Sequence, residues 1–80
     1  MKIYTIEYTR RFTLKDVKRL FGILVGCSGF SIRSGEYHIT KASLLIFLSL
    51  IGLKNGFTVE VFCKNDTEYN YIKEVLEKLV

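Results

Sequence analysis

The amino-acid sequence predicts an α+β fold, an open-faced sandwich in which strands and helices segregate into two layers. Two observations carry that prediction. Four short segments alternate apolar and polar residues with the period of a strand, two others repeat apolar residues at helical spacing, and one more is a short run that is apolar nearly throughout. Their order is β-α-β-β-α-β-α, and the first six elements follow the ferredoxin-like sequence of elements. The chain of 80 residues makes one domain over 1–80, with no room for a second core.

Lys2 to Tyr8 alternate, with Tyr4, Ile6 and Tyr8 on one face and Ile3, Thr5 and Glu7 on the other. A helix follows, with Thr13 as N-cap and Asp16 near the positive end of the helix dipole. Phe12 and Val17 occupy the positions of a hydrophobic staple. Leu14, Val17, Leu20, Phe21, Leu24 and Val25 form its apolar stripe, and Gly26 or Gly29 is expected to end it. Phe30 to Arg33 and Glu36 to Thr40 then form a hairpin around a Ser34-Gly35 turn.

Lys41 to Ile51 is too apolar for periodicity alone to decide. It reads as a short helix, capped by Ser43 or Thr40 and closed by Gly52. Asn55-Gly56 signals a turn, and Thr58 to Lys64 alternate as a fourth strand. Asn65 caps the last helix, with Glu68 three residues on in a pattern like a capping box. Tyr69, Ile72, Val75, Leu76 and Leu79 form its buried stripe.

Composition narrows the function. An apolar share of 49% supports one packed core and argues against disorder. The N-terminal segment lacks the apolar run of a signal peptide, and Leu44 to Leu53 falls far short of the ~20 residues that span a bilayer. A cytoplasmic protein without membrane attachment is expected. Cys27 and Cys63 belong to no metal-ligand spacing, and one histidine is too few to complete a zinc site. Two buried free thiols, no metal and no cofactor are expected. His38 alone supports no Ser-His-acid or Cys-His set, and the glycines do not form a phosphate loop, so no enzymatic activity is expected. The net charge of +4 suits an acidic protein or a phosphate, and is too small to argue for nucleic acid.

The second half, KASLLIFLSLIGLKNGFTVEVFCKNDTEYNYIKEVLEKLV, resembles HPr, the histidine-containing phosphocarrier of the bacterial phosphotransferase system. In that family a lysine-serine stretch opens a short second helix. An apolar run, a turn, a strand and an acid-capped last helix follow. Ser43 and Ser49 keep the spacing of the family's two serines. The resemblance covers about Ile39 to Val80 by motif and the first half by element order. The fold it implies is a four-stranded antiparallel sheet covered on one face by three helices.

The first half departs from the family where its chemistry occurs. HPr carries Gly-Ile-His-Ala-Arg-Pro at the start of its first helix, and that histidine accepts the phosphoryl group. The stretch here is Thr9-Arg10-Arg11-Phe12-Thr13-Leu14, with Phe12 or Thr13 where the histidine belongs. Relay by the family mechanism is therefore not expected. Ser43 resembles the family's regulatory serine, the site used by Crh, a member without the relay histidine. Phosphorylation there would add roughly two negative charges.

These residues suggest a regulatory or protein-interaction module. Arg10, Arg11, Phe12, Thr13 and Lys15 would form a basic lip, which Lys18 and Arg19 extend. Leu44, Leu45, Phe47 and Leu48 would add an apolar patch, since they cannot all face inward on a short helix. Two rival readings have their own signatures. A phosphoryl carrier would use some other residue, and a small nucleic-acid binder would stack bases on Tyr4, Tyr8, Phe30 or Tyr37 across the open sheet face.

Overall fold

A computed structural model describes residues 2–53 and 56–80. Its strands are β1 (Lys2–Tyr8), β2 (Phe30–Ser34), β3 (Tyr37–Ile39) and β4 (Phe57–Cys63). Its helices are α1 (Leu14–Leu24), α2 (Leu44–Phe47) and α3 (Asp66–Glu77), with a 3₁₀ turn over Leu48–Gly52. The strands form one sheet in the order β1-β4-β2-β3, and every pairing is antiparallel. Lys2 pairs with Cys63 and Tyr8 with Phe57, so β1 and β4 match along seven residues.

Alternation decides which face is covered. Tyr4, Tyr8, Phe30, Ile32, Ile39, Val59, Val61 and Cys63 are buried. They meet Val17, Leu20, Leu24, Phe47, Leu50, Ile72, Leu76 and Leu79 in one core. The other face carries Thr5, Glu7, Thr58, Glu60, Arg33 and His38, and no helix lies on it. A one-residue slip of any strand would exchange the two sets.

Thr13 and Asp16 close a full capping box at the start of α1. The Thr13 hydroxyl accepts from the Asp16 backbone N–H, and the Asp16 carboxylate accepts from the Thr13 backbone N–H. Phe12, 1% exposed, packs its ring 4.9 Å from both Tyr8 and Phe57, which completes the staple with buried Val17. Burying each such side chain contributes about 2–3 kcal/mol.

Three expected glycine stops are not used. Among the described residues only Gly35 and Gly56 have positive φ, at 60° and 79°. Helix α1 ends at Leu24 with Val25 as an ordinary right-handed cap, so neither Gly26 nor Gly29 is a left-handed terminator. Gly52 is the last residue of the 3₁₀ turn. At α3 the Asn65 side chain accepts from the Glu68 backbone N–H at 2.9 Å, as expected. The reciprocal bond fails at Glu68 Oε1, which is buried with no hydrogen-bond partner among the described residues. Asn55, of the expected Asn55-Gly56 turn, lies outside the described residues.

Candidate functional site

The expected basic lip divides into a structural and a free part. Arg10 is structural. Its Nε and Nη2 donate to the Leu79 carbonyl at 2.9 and 2.6 Å, Nη1 donates to Asp16 at 2.8 Å, and the guanidinium lies 4.5 Å from the Phe12 ring centroid. Thr13 is consumed by the capping box, and Phe12 is core. Phe12 is corrected from a partner contact to a core residue, because its ring is buried, whereas Arg10 and Thr13 are bonded inside the fold. Arg11 and Lys15 are exposed, as are Lys18 and Arg19, and none forms an ion pair among the described residues.

The short second helix divides in the same way. Phe47 is fully buried, with its ring edge-on to Phe21 at 5.4 Å and to Phe30 at 5.7 Å. It is corrected from a partner contact to the residue that docks α2 on α1 and the sheet. Leu45 is 80% exposed, and Leu44, Ile46 and Leu48 are exposed as well. A four-residue helix buries one side chain and leaves its other apolar groups in water, because one turn points them around the full circle. Ile46 belongs to this patch although the sequence gave no reason to prefer it. Leu14, expected in the buried stripe of α1, is exposed beside Lys15, Lys18 and Arg19.

Ser43 stands at the N-cap of α2, but its side chain makes no capping bond. Ser49 is the engaged serine. Its hydroxyl donates to the Ile46 carbonyl at 2.6 Å and is hydrogen-bonded to the Tyr37 hydroxyl. Spacing alone could not separate the two, since the bond to Tyr37 comes from the β2–β3 hairpin.

Of the aromatic residues expected to stack bases, none stands on the open sheet face, where Phe62 lies opposite Ile3 instead. Tyr4, Tyr8 and Phe30 face the helices and are buried, and the Tyr37 hydroxyl is bound to Ser49. The buried Tyr8 hydroxyl donates to the Leu76 carbonyl at 2.7 Å, and burial pushes its pKa well above the usual tyrosine value. His38 lies on the open face, where its Nε2 is 2.7 Å from the Ser31 hydroxyl. Register placed this pair, since Arg33 opposite His38 sets the two strands in phase.

Both thiols are free. Burial, and next the Glu68 carboxylate, push the Cys27 pKa up to about 11, and the same causes raise that of Cys63. Neither is an activated nucleophile. Among the described residues no group of three or more His, Cys, Asp or Glu is placed to hold a metal ion, and no helix is long and apolar enough to cross a membrane.

No family model, curated protein or solved structure matches this chain. The resemblance to HPr rests on the residue pattern of the second half and on the order of the elements.

Proposed function

We propose that this chain is a non-enzymatic, HPr-like binding or regulatory module that has lost the phosphocarrier histidine and docks an acidic protein partner through α2 and the free cations of α1. The observation that carries the reading is the run Leu44, Leu45, Ile46 and Leu48, four exposed aliphatic side chains within five residues. Exposed aliphatic groups so close together are costly in water and suit a partner's apolar groove. Arg11, Lys15, Lys18 and Arg19, with Asp16 already bound to Arg10, give the neighbouring helix an uncompensated positive field. Such a field speeds and orients docking of an acidic surface.

Ser43 fits the regulatory half of the reading. Its hydroxyl has no capping bond, and a phosphate there would set negative charge against Leu44 and Leu45. The carrier alternative has less to support it. His38 already shares its Nε2 with Ser31, and it sits on a strand of the open face rather than at a helix start.

A photo-crosslinking residue at position 48, alone and combined with Leu45→Glu, tests the docking reading. A discrete crosslinked partner that Leu45→Glu and a Lys15→Glu/Lys18→Glu variant both lose supports it. Identical capture by all three proteins refutes it. Labelling with two donors separates the roles: ATP plus HPr kinase should mark Ser43, and phosphoenolpyruvate plus the general phosphotransferase enzyme should mark nothing. Label on His38 would restore a carrier.

A further inference from the structure

Away from α2, helices α1 and α3 leave a trough between them on the outside of the helical layer. One part, of about 430 Å³, is lined by Lys18, Arg19 and Ile23 from α1 and by Val75 and Lys78 from the α3 side. A second part, of about 310 Å³, is lined by Ile23, Cys27, Glu68, Tyr71 and Ile72. Gly22 and Ile23 line both, so the two parts are continuous. The distance from Glu68 to Lys78 along α3 is about 15 Å at 1.5 Å per residue, close to three helical turns.

Two features of this trough have no role inside the fold. Gly22 sits in the interior of α1, where glycine weakens a helix, and a Cβ added there would meet nothing within 4 Å. The bare backbone permits another chain to approach closely. At the far end, Glu68 Oε1 is buried and has no hydrogen-bond partner among the described residues. A buried carboxylate oxygen without a donor is costly, and an incoming N–H or cation would relieve that cost.

Charge then selects the occupant. The two ends of the trough differ in sign, with Lys18, Arg19 and Lys78 at one and Glu68 at the other. Lys78 shares its charge with Glu74 at 3.8 Å, while Lys18 and Arg19 have no ion pair among the described residues. Helices favour acids in their first turn and cations in their last. We infer that the α1–α3 trough receives an amphipathic helix of about three turns from a protein partner, its acidic N-terminal turn over Lys18 and Arg19 and its cationic C-terminal turn over Glu68. The bound helix runs antiparallel to α3, with its apolar face on Ile23 and Val75. This surface shares Lys18 and Arg19 with the α1 cations of the proposed docking site, but its apolar contacts, Ile23 and Val75, are separate from the α2 patch.

The test is a titration of the isotopically labelled full chain with a blocked peptide of about fifteen residues, long enough to hold three turns. The peptide carries Glu in its first turn, Leu at helical spacing and Lys in its last turn. A twin peptide has the two charged turns exchanged. The expected result is saturable shifts of the Gly22, Ile23, Cys27, Glu68 and Tyr71 amides, with the twin bound at least about tenfold more weakly. Gly22→Phe should keep the folded spectrum and lose the binding, and Glu68→Gln should narrow the gap between the twins. Three results overturn the inference: no saturable shift up to about millimolar peptide, equal affinity for both twins, or shifts confined to Leu44–Leu48. The last would place helix binding on α2 instead.

Discussion

The Arg10 guanidinium grips the Leu79 carbonyl with two donors, from Nε at 2.9 Å and Nη2 at 2.6 Å, and so ties the segment before α1 to the turn after α3. The same side chain reaches Asp16 in the first turn of α1. Charge-assisted bonds of this kind contribute about 1.5–3 kcal/mol. Arg10→Ala should therefore lower unfolding stability by about 2 kcal/mol in urea, while Arg11→Ala, one residue away and exposed, should change it by less than about 0.5 kcal/mol. Equal effects of the two substitutions would contradict the structural role of Arg10.

Asp16 sets an acid limb on stability. The Arg10 guanidinium first, and then the Thr13 backbone N–H, hold its carboxyl well below the usual carboxylate range. The folded protein thus binds this proton more weakly than the unfolded chain does. Its contribution is complete above the unfolded value, near 3.8, and is lost as pH falls toward the folded one. The melting temperature of the native protein should fall more steeply than that of Asp16→Asn between about pH 5 and pH 2. Parallel profiles would remove Asp16 from the account.

The contrast between Leu45 and Phe47 can be measured without a partner. Leu45→Glu should change stability by less than about 0.5 kcal/mol, because its side chain is already in water. Phe47→Ala, which opens a void between Phe21 and Phe30, should cost about 3–5 kcal/mol. A large loss in Leu45→Glu would mean that this patch belongs to the core.

Two glycines should respond in opposite directions to alanine. Gly22→Ala adds helix propensity in open space and should stabilise by about 0.5–1 kcal/mol. Gly56→Ala should destabilise by at least about 2 kcal/mol. Its φ is 79°, and the new Cβ would collide with the Tyr8 carbonyl oxygen. Thermal unfolding of the two variants decides both, and a stable Gly56→Ala would show that the approach of β1 to this turn can relax.

Legibility followed the range of the interactions. Strand faces were readable because alternation is local: Tyr4 and Tyr8 on β1, and Val59 and Val61 on β4, are the buried set that the pattern predicts. The Thr13 cap, the Phe12–Val17 staple and the Gly35 turn were readable for the same reason, since their partners lie within a few residues. Helix ends were less so. Gly26 and Gly52 have the composition of terminators, but the chain leaves both helices without a left-handed residue.

The site was legible in part. Leu44, Leu45 and Leu48 are exposed, and Arg11 and Lys15 form no ion pair among the described residues. Arg10, Phe12, Thr13 and Phe47 look like their surface neighbours in one dimension. Their roles depend on Leu79, Phe57, Asp16 and Phe30, which only folding brings near.

The sequence by itself determined the element order and the two alternating faces of the strands, which depend on residue type and short spacing. Tertiary structure decided the rest. It selected which cations remain free, which aromatic rings are core, that Ser49 rather than Ser43 is held, and that Glu68 is left without a donor among the described residues beside a trough. Each of these depends on a partner far away along the chain, and no periodic pattern records such a pairing.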